Sequence, residues 1–325
     1  MKKLQDLVDD LTTEFDKEDL FERFDSYAEK IQQKDYSRFR INLPKNLKKY
    51  INIKQAISEN PQVSLRYMGQ QVAYMDVCKP YKITICDTVE NYFKDIPNFP
   101  VNGFNWKSDE GTKFRKFFDN TETNKLHSEE HKHESLIISE FEKTKSENKS
   151  LLNIQPIKIA GQFRFQMASP VNGKGEKGMG NIDILARVGR GINTNIAIVE
   201  LKVSKDYFKN NNGIEQVLNY AVSIRELLRK SKANERWIEI FEFGKNRLNR
   251  GITFYAVLMV PENLKDQAKS LLDSFDTKSV EIENDTKKSV DKIKLASIFY
   301  KKEDDNRIVI TETDGFNGEI KINAV

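Results

Sequence analysis

Asp183, Glu200 and Lys202 are charged residues set inside apolar surroundings. The stretch GNIDILARVGRGINTNIAIVELKV, residues 180–203, reads as two short runs rich in Ile and Val, 182–188 and 196–203, joined by a glycine-containing turn. Runs of this length between turn residues are typical of strands that feed a core. Side chains alternate across a strand, so Glu200 and Lys202 share one face, while Val199, Leu201 and Val203 take the other. If the two strands pair as a hairpin, Asp183 reaches Glu200. Two carboxylates held together repel unless a cation lies between them. A hard divalent ion such as Mg²⁺ prefers such oxygens and keeps several waters. Lys202, on the same face, could hold one of those waters or stabilise charge developing on a phosphate. The chemistry implied is metal-dependent cleavage of a phosphodiester. The plainer alternative is a partly buried Glu–Lys ion pair beside a solvated Asp. An E-x-K triplet alone carries no weight, since it recurs at Glu130–Lys132, Glu147–Lys149 and Glu319–Lys321.

These residues need strands and helices to hold them. Helical apolar spacing over 4–31 predicts one or two acidic amphipathic helices at the start. SLRYMGQQVAYMDV (64–77) predicts a hairpin turning near Gly69, and 82–89 a further strand. The segment 96–105 reads as loop, and Ser108 can cap a helix that runs to Asp119. Polar DNTETN (119–124) marks the expected boundary between domains 1–124 and 125–325. Beyond it the order is a helix (128–148), a strand (157–168), a Gly-rich loop (172–180) and the two charged strands. A helix (213–231), a strand (252–260), a helix (262–275) and strands near 294–300 and 307–312 follow. Helices alternating with short strands predict α/β layering.

Asp183, sixteen intervening residues and Glu200-Leu201-Lys202, with hydrophobic residues flanking each charge, resemble the PD-(D/E)XK nuclease superfamily. Asn181-Ile182-Asp183 stands where that pattern has its proline-aspartate pair. In NNGIEQVLNYAVSIRELLRK, Gln216 and Tyr220 are four apart on one helical face and resemble the Q-x-x-x-Y element of RecB-like nucleases. The resemblance covers roughly residues 126–260, under half of the chain, and residues 1–120 resemble nothing named. It implies a restriction-endonuclease-like core, α/β in class, of a helix, a three-stranded meander, a helix and a further strand, with an α+β domain preceding it. It further implies Mg²⁺ or Mn²⁺ held by Asp183, Glu200 and the Leu201 carbonyl. Lys202 then positions water or stabilises the transition state, and Gln216 and Tyr220 orient the site. An acid on the helix before the meander is also implied. Glu134 is favoured because it shares a stripe with Ile137, Ile138 and Phe141, with Glu140 as the alternative.

Net charge is +4, but residues 202–250 hold eleven Lys/Arg against six acids, a local excess that suits a polyanion or simply a solvated helix face. His127 and His131 are four apart, yet no Cys partner or H-E-x-x-H pattern supports zinc. NGKGEKGMG (172–180) lacks a GK[ST] ending and precedes a strand, so it reads as a mobile loop near substrate, with Lys174 and Lys177 as phosphate contacts. GKNRLNRG (244–251) is a second basic loop. No secretory signal or membrane span is legible, and two cysteines, Cys78 and Cys86, suit reduced thiols in a cytoplasmic protein. The expectation is a divalent-metal-dependent nuclease acting on DNA in restriction, phage defence or repair. RNA as substrate, endo- or exonuclease action, and a homo-oligomer or separate partner chain stay open. The alternative class is a non-catalytic nucleic-acid-binding or assembly module that retains a nuclease fold.

Overall fold

A computed structural model describes residues 1–17, 20–34, 36, 41–58, 62–76, 79, 81–90, 93, 99–100, 103–120, 129–168, 181–208, 212–284 and 289–323. The first part of the chain forms α1 (Leu4–Lys17), α2 (Leu20–Gln32), β1 (Leu47–Asn52), α3 (Ile53–Ile57), β2 (Gln62–Tyr67), β3 (Gln70–Asp76), β4 (Lys82–Ile85), α4 (Asp87–Glu90), β5 (Phe104–Asn105), α5 (Asp109–Asn120) and α6 (Glu129–Glu142). There follow β6 (Leu151–Leu152), β7 (Ile154–Pro156), β8 (Lys158–Ile159), β9 (Phe163–Gln166), β10 (Ile184–Val188) and β11 (Asn195–Leu201). The remainder forms α7 (Asn212–Lys230), α8 (Asn234–Ile240), β12 (Thr253–Pro261), α9 (Lys265–Leu272), β13 (Ser279–Glu283), β14 (Val290–Lys302), β15 (Ile308–Asp314) and β16 (Lys321–Ile322). The class is mixed α/β. No helix among the described residues is long and apolar enough to cross a membrane.

The chain divides into two units, and each is discontinuous. One gathers residues 1–29, 136–157 and 167–325; the other gathers 30–135 and 158–166. The boundary expected at 124/125 therefore falls within the second unit, and α6 contributes to both. Residues 1–29 join the unit of β10 and β11 because their apolar stripe finds its partner there. Leu4, Val8 and Phe15 of α1 are buried, and α1 packs along α7. Lys2 bridges to Phe275, the Leu4 N–H donates to Asp276 Oδ1 at 3.0 Å, and the Phe24 ring lies 6.1 Å from that of Trp237. Deleting residues 1–29 is expected to lower the melting temperature sharply, since each fully buried large apolar side chain is worth about 1.5–3 kcal/mol. Calorimetry of the deletion beside the full chain checks this; equal transitions would show that these residues are dispensable.

In the second unit, a seven-stranded sheet runs in the order β5-β4-β3-β2-β1-β9-β8. The hairpin expected near Gly69 is β2–β3. Its turn places Met68 and Gly69 at φ 47° and 85°. A Cβ on Gly69 would lie 2.2 Å from the His131 carbonyl oxygen, so glycine is needed there for space as well as conformation. Ser108 Oγ accepts the Gly111 N–H at 3.3 Å at the start of α5, as the sequence suggests. Half of 96–105 and all of 121–128 lie outside the described residues. The single strand expected at 157–168 is corrected. Ala160 and Gly161 both take positive φ, 52° and 66°, and fold this stretch into the β8–β9 hairpin. Strand β9 then pairs parallel to β1, in the second unit's sheet.

In the first unit the sheet order is β13-β14-β12-β11-β10-β7, and β15 also pairs with β14. Strands β7, β10 and β11 are antiparallel neighbours, while β12 lies parallel to β11 after the α7 crossover. Every residue of β11 is buried, as is the run 254–260 of β12. Such continuous burial is expected of a central strand covered on both faces. Helix α7 supplies one cover through Ile214, Val217, Leu218 and Ala221. Elements not anticipated from sequence also belong to this unit: β7, β13, α8 and the short pair β6–β16. The helix expected at 128–148 ends at Glu142, and a separate 3₁₀ turn follows at Lys145–Glu147.

Candidate active site

Asp183 stands immediately before β10, and Glu200 is the penultimate residue of β11. The β10–β11 register pairs Ile184 with Val199, so one further step sets Asp183 opposite Glu200. The Asp183 carboxylate is anchored by its Oδ2, which accepts the Leu201 N–H at 2.8 Å. Lys202 follows the strand directly, and its backbone N–H donates to Met259 O at 3.1 Å, extending the β11–β12 pairing by one residue. Its side chain turns to the face of Glu200, as strand alternation requires, and Nζ donates to Glu200 Oε1 at 2.5 Å. Both side chains are almost wholly enclosed, 8% exposed for Lys202 and 2% for Glu200. The three charged residues, a half-buried aspartate and a buried ion pair, are thus brought together at one end of the hairpin.

Helix α7 approaches this point with its first turn. A Cβ added to Gly213 would lie 3.4 Å from Lys202 Cε and 3.5 Å from Cγ, so the helix start rests on the lysine stem. Gly213, Gln216 and Tyr220 fall three and four residues apart and share one helical face. Gln216 Nε2 donates to Tyr220 Oη at 2.8 Å, and Tyr220 is buried. The Gln–Tyr pair is therefore a real contact, on the face that begins at Lys202. Gly213 is the residue sequence reasoning missed. Its signal was a glycine at the very start of an apolar-periodic helix, where close approach of backbone to a neighbouring side chain is the usual reason for it.

Glu134 lies in the half of α6 that belongs to the other unit. There it is buried and accepts from Gln166 Nε2 at 3.5 Å, while Gln166 Oε1 accepts from Arg66 at 2.7 Å. Arg164 donates to Tyr50 Oη at 2.9 Å in the same unit, and Arg66 lies 4.5 Å from the centre of the Tyr50 ring. Glu140 belongs to the first unit. Its Oε1 accepts the Ser150 N–H and Oγ–H at 2.5 and 2.8 Å, and its Oε2 pairs with Lys143 at 2.5 Å. That carboxylate holds the chain entering β6.

The chain matches no protein-family model, no curated protein and no solved structure. The site must therefore be judged by its donors. Among the described residues no group of three or more His, Cys, Asp or Glu could hold a metal ion. The set at the hairpin end is instead two carboxylates, Asp183 and Glu200, with the carbonyl of Leu201, the residue after Glu200. All-oxygen donors of this kind suit a hard ion that keeps much of its water, Mg²⁺ or Mn²⁺.

Among the described residues, part of the positive excess in 202–250 is internal. Arg225 is buried and pairs with Glu226 and Asp291, and Arg229 meets Asp291 at 2.6 Å. Lys230 pairs with Glu226 at 2.8 Å. Arg247 is buried and donates to Thr194 O, Gly251 O and Asn195 Oδ1. Buried arginines need acceptors, so these charges are spent inside the fold rather than offered to a polyanion. His133 Nε2 lies 3.6 Å from Glu129, and His131 is exposed. His127, Lys174 and Lys177 lie outside the described residues. The two ends of the segment carrying Lys174 and Lys177 are held together by an Ala168–Asn181 bridge and by the Ile182 N–H donating to Met167 O at 2.9 Å, next to Asp183.

Proposed function

We propose that the chain is a divalent-metal-dependent nuclease that hydrolyses phosphodiester bonds in DNA, with restriction, phage defence or repair as its setting. The observation that carries this is the convergence of Asp183, Glu200 and Lys202 at one end of a buried antiparallel pair, with α7 resting on Lys202. The order around them, a helix, three antiparallel strands, a crossover helix and a parallel strand, supports the resemblance to PD-(D/E)XK nucleases. Asp183, Glu200 and the Leu201 carbonyl would hold Mg²⁺ or Mn²⁺, which supplies Lewis acidity toward the scissile phosphate. Lys202 is the only cation in this set. Its ammonium, now on Glu200 Oε1, would hold the attacking water or stabilise the extra negative charge as water adds to phosphorus and the ester P–O bond breaks. Gln216 and Tyr220 brace the α7 face that starts at the lysine. Incubation with linear, circular and single-stranded DNA, and with RNA, in Mg²⁺ or Mn²⁺ tests the reading. Absence of cleavage of every substrate in both metals overturns it.

One observation favours a second reading. Lys202 and Glu200 form a buried ion pair, and Asp183 is tied to the Leu201 N–H, contacts that a purely structural role would also keep. A non-catalytic nucleic-acid-binding or assembly module would keep it for packing. Calorimetric titration with Mg²⁺ separates the two: binding abolished by Asp183→Asn supports the nuclease, and heat unchanged by that substitution supports the module.

Tyr220→Phe removes one hydroxyl and little packing. A neutral hydrogen bond of this kind is worth about 0.5–1.5 kcal/mol, so cleavage is expected to slow roughly two- to tenfold, with metal affinity unchanged. Gln216→Ala is expected to cost a similar factor, and the double variant less than the product, because the two side chains share one bond. Single-turnover rates for the four proteins check this; wild-type rates in both singles would make the pair a packing contact only.

A further inference from the structure

At the opposite end of the β10–β11 hairpin lies a cavity of about 800 Å³. The strand length separates it from Asp183 and Glu200 by roughly 17 Å at about 3.3 Å per residue. Seven cationic side chains and one carboxylate, Glu242, line it. Some of these charges are committed to the fold. Lys149 is buried and donates to Phe141 O and Ile154 O at 2.6 and 2.7 Å; burial lowers its pKa to about 8. Arg187 pairs with Glu242 at 3.2 Å and Lys143 with Glu140. Arg247 is held by three carbonyl acceptors. Burial, with the like charges of Arg229 and Arg250 adding to it, lowers its pKa to about 10.

The others are turned to solvent. The side chains of Lys145 and Arg250 are exposed and make no hydrogen bond or ion pair among the described residues. Arg190 is exposed and uses only Nε, which donates to Asn153 Oδ1 at 2.6 Å. Three cations around one concavity, backed by further buried positive charge, form a field that an anion would relieve. Between them the wall is apolar, with Leu152, Ile154 and Phe243, and Ile192 stands 67% exposed at the rim. The volume falls in the range of small-molecule sites, roughly 300–1,000 Å³.

We propose that this cavity binds a small phosphorylated organic anion of nucleotide type, carrying two or more phosphates. Arg190 and Arg250 take the phosphates through their guanidinium forks, Lys145 adds a point charge, and the apolar wall takes the ring. None of these residues belongs to the proposed cleavage site. The site also explains the basic turn 244–251, whose Arg250 faces the cavity while Arg247 fastens the turn to β11.

The test is equilibrium binding to the full chain by calorimetry in EDTA, which reads nothing of cleavage. The probes are ATP, ADP, adenosine, inorganic triphosphate and a short single-stranded DNA oligonucleotide. ATP and ADP are expected to bind and adenosine not, and inorganic triphosphate more weakly than ATP. The Arg190→Ala/Arg250→Ala double variant is expected to weaken ATP binding about tenfold or more, as loss of charge-assisted bonds implies. A Lys3→Ala/Lys232→Ala control, which removes the same charge from exposed sites elsewhere, is expected to leave it unchanged. No saturable binding of ATP or ADP at millimolar concentration overturns the proposal, as does equal weakening in the control. Triphosphate binding as tight as ATP removes the ring from the assignment. Binding of the oligonucleotide alone replaces the small ligand with a nucleic-acid strand and overturns the proposal equally.

Discussion

Glu200→Gln is expected to lower DNA cleavage by about a hundred- to thousandfold, the scale of losing one electrostatic stabiliser from an enclosed site. The substitution keeps the shape of the side chain and an oxygen for Lys202 Nζ, but removes the charge. Its stability consequence follows from burial. Glu200 and Lys202 are 2% and 8% exposed in their side chains, so taking one charge away leaves the other enclosed without its counter-charge. Breaking such a pair costs about 3–5 kcal/mol when one partner is truncated, and less when a neutral isostere keeps the hydrogen bond. Glu200→Ala is therefore expected to melt well below Glu200→Gln, and both below the native chain. Lys202→Met gives the mirror case. The buried carboxylate loses its ammonium, cleavage falls, and Mg²⁺ is expected to raise the melting temperature of this variant more than that of the native chain, because a cation at Glu200 now relieves an uncompensated charge. Plasmid nicking and thermal melts with and without Mg²⁺ check the set. Wild-type nicking by Glu200→Gln would remove Glu200 from the chemistry.

The second large effect is expected at Asp291, far from any proposed chemistry. Asp291 is fully buried in β14. Its Oδ1 accepts from Arg229 Nη2 at 2.6 Å and from the Ile252 N–H at 2.8 Å, and its Oδ2 accepts from Arg229 Nε at 2.8 Å and Arg225 Nε at 3.2 Å. One carboxylate thus fastens the last turns of α7 to the entry of β12. Asp291→Ala removes the carboxylate shared by two enclosed guanidiniums, leaving Arg225 with Glu226, Glu283 O and Asn284 and Arg229 with only the Leu248 and Arg250 carbonyls, which is expected to cost about 3–5 kcal/mol, or about 6–20 °C in melting temperature. Asp291→Asn keeps an acceptor and is expected to lie between. Scanning calorimetry checks both; an Asp291→Ala transition that coincides with the native one would mean that the remaining acceptors of Arg225 and Arg229 suffice.

Several elements were legible because they rest on local rules. The Met68–Gly69 turn, the Ser108 cap, the periodicity of α1 and α7 and the apolar run of β12 each follow from a few adjacent residues, and the structure has them. The face shared by Glu200 and Lys202 follows from strand alternation, and the Gln216–Tyr220 contact from helical spacing.

Long-range partners were not legible, because nothing local encodes them. Residues 1–29 carry an apolar stripe, but only the fold shows that α7 covers it. Segment 157–168 is apolar enough for one strand; the positive φ of Ala160 and Gly161 makes it a hairpin, and the parallel pairing with β1 places it in another sheet. Arg225 and Arg229 read as a basic helix face until Asp291, more than sixty residues on, is found to bury them. Glu134 has the spacing of a site acid; that it shares a unit with Arg66, Arg164 and Gln166 and takes a hydrogen bond from Gln166 was not legible. Sequence by itself determined which residues share a face, since backbone geometry fixes that period. The tertiary structure decided which faces meet, since burial and charge pairing are settled only between segments distant in the chain.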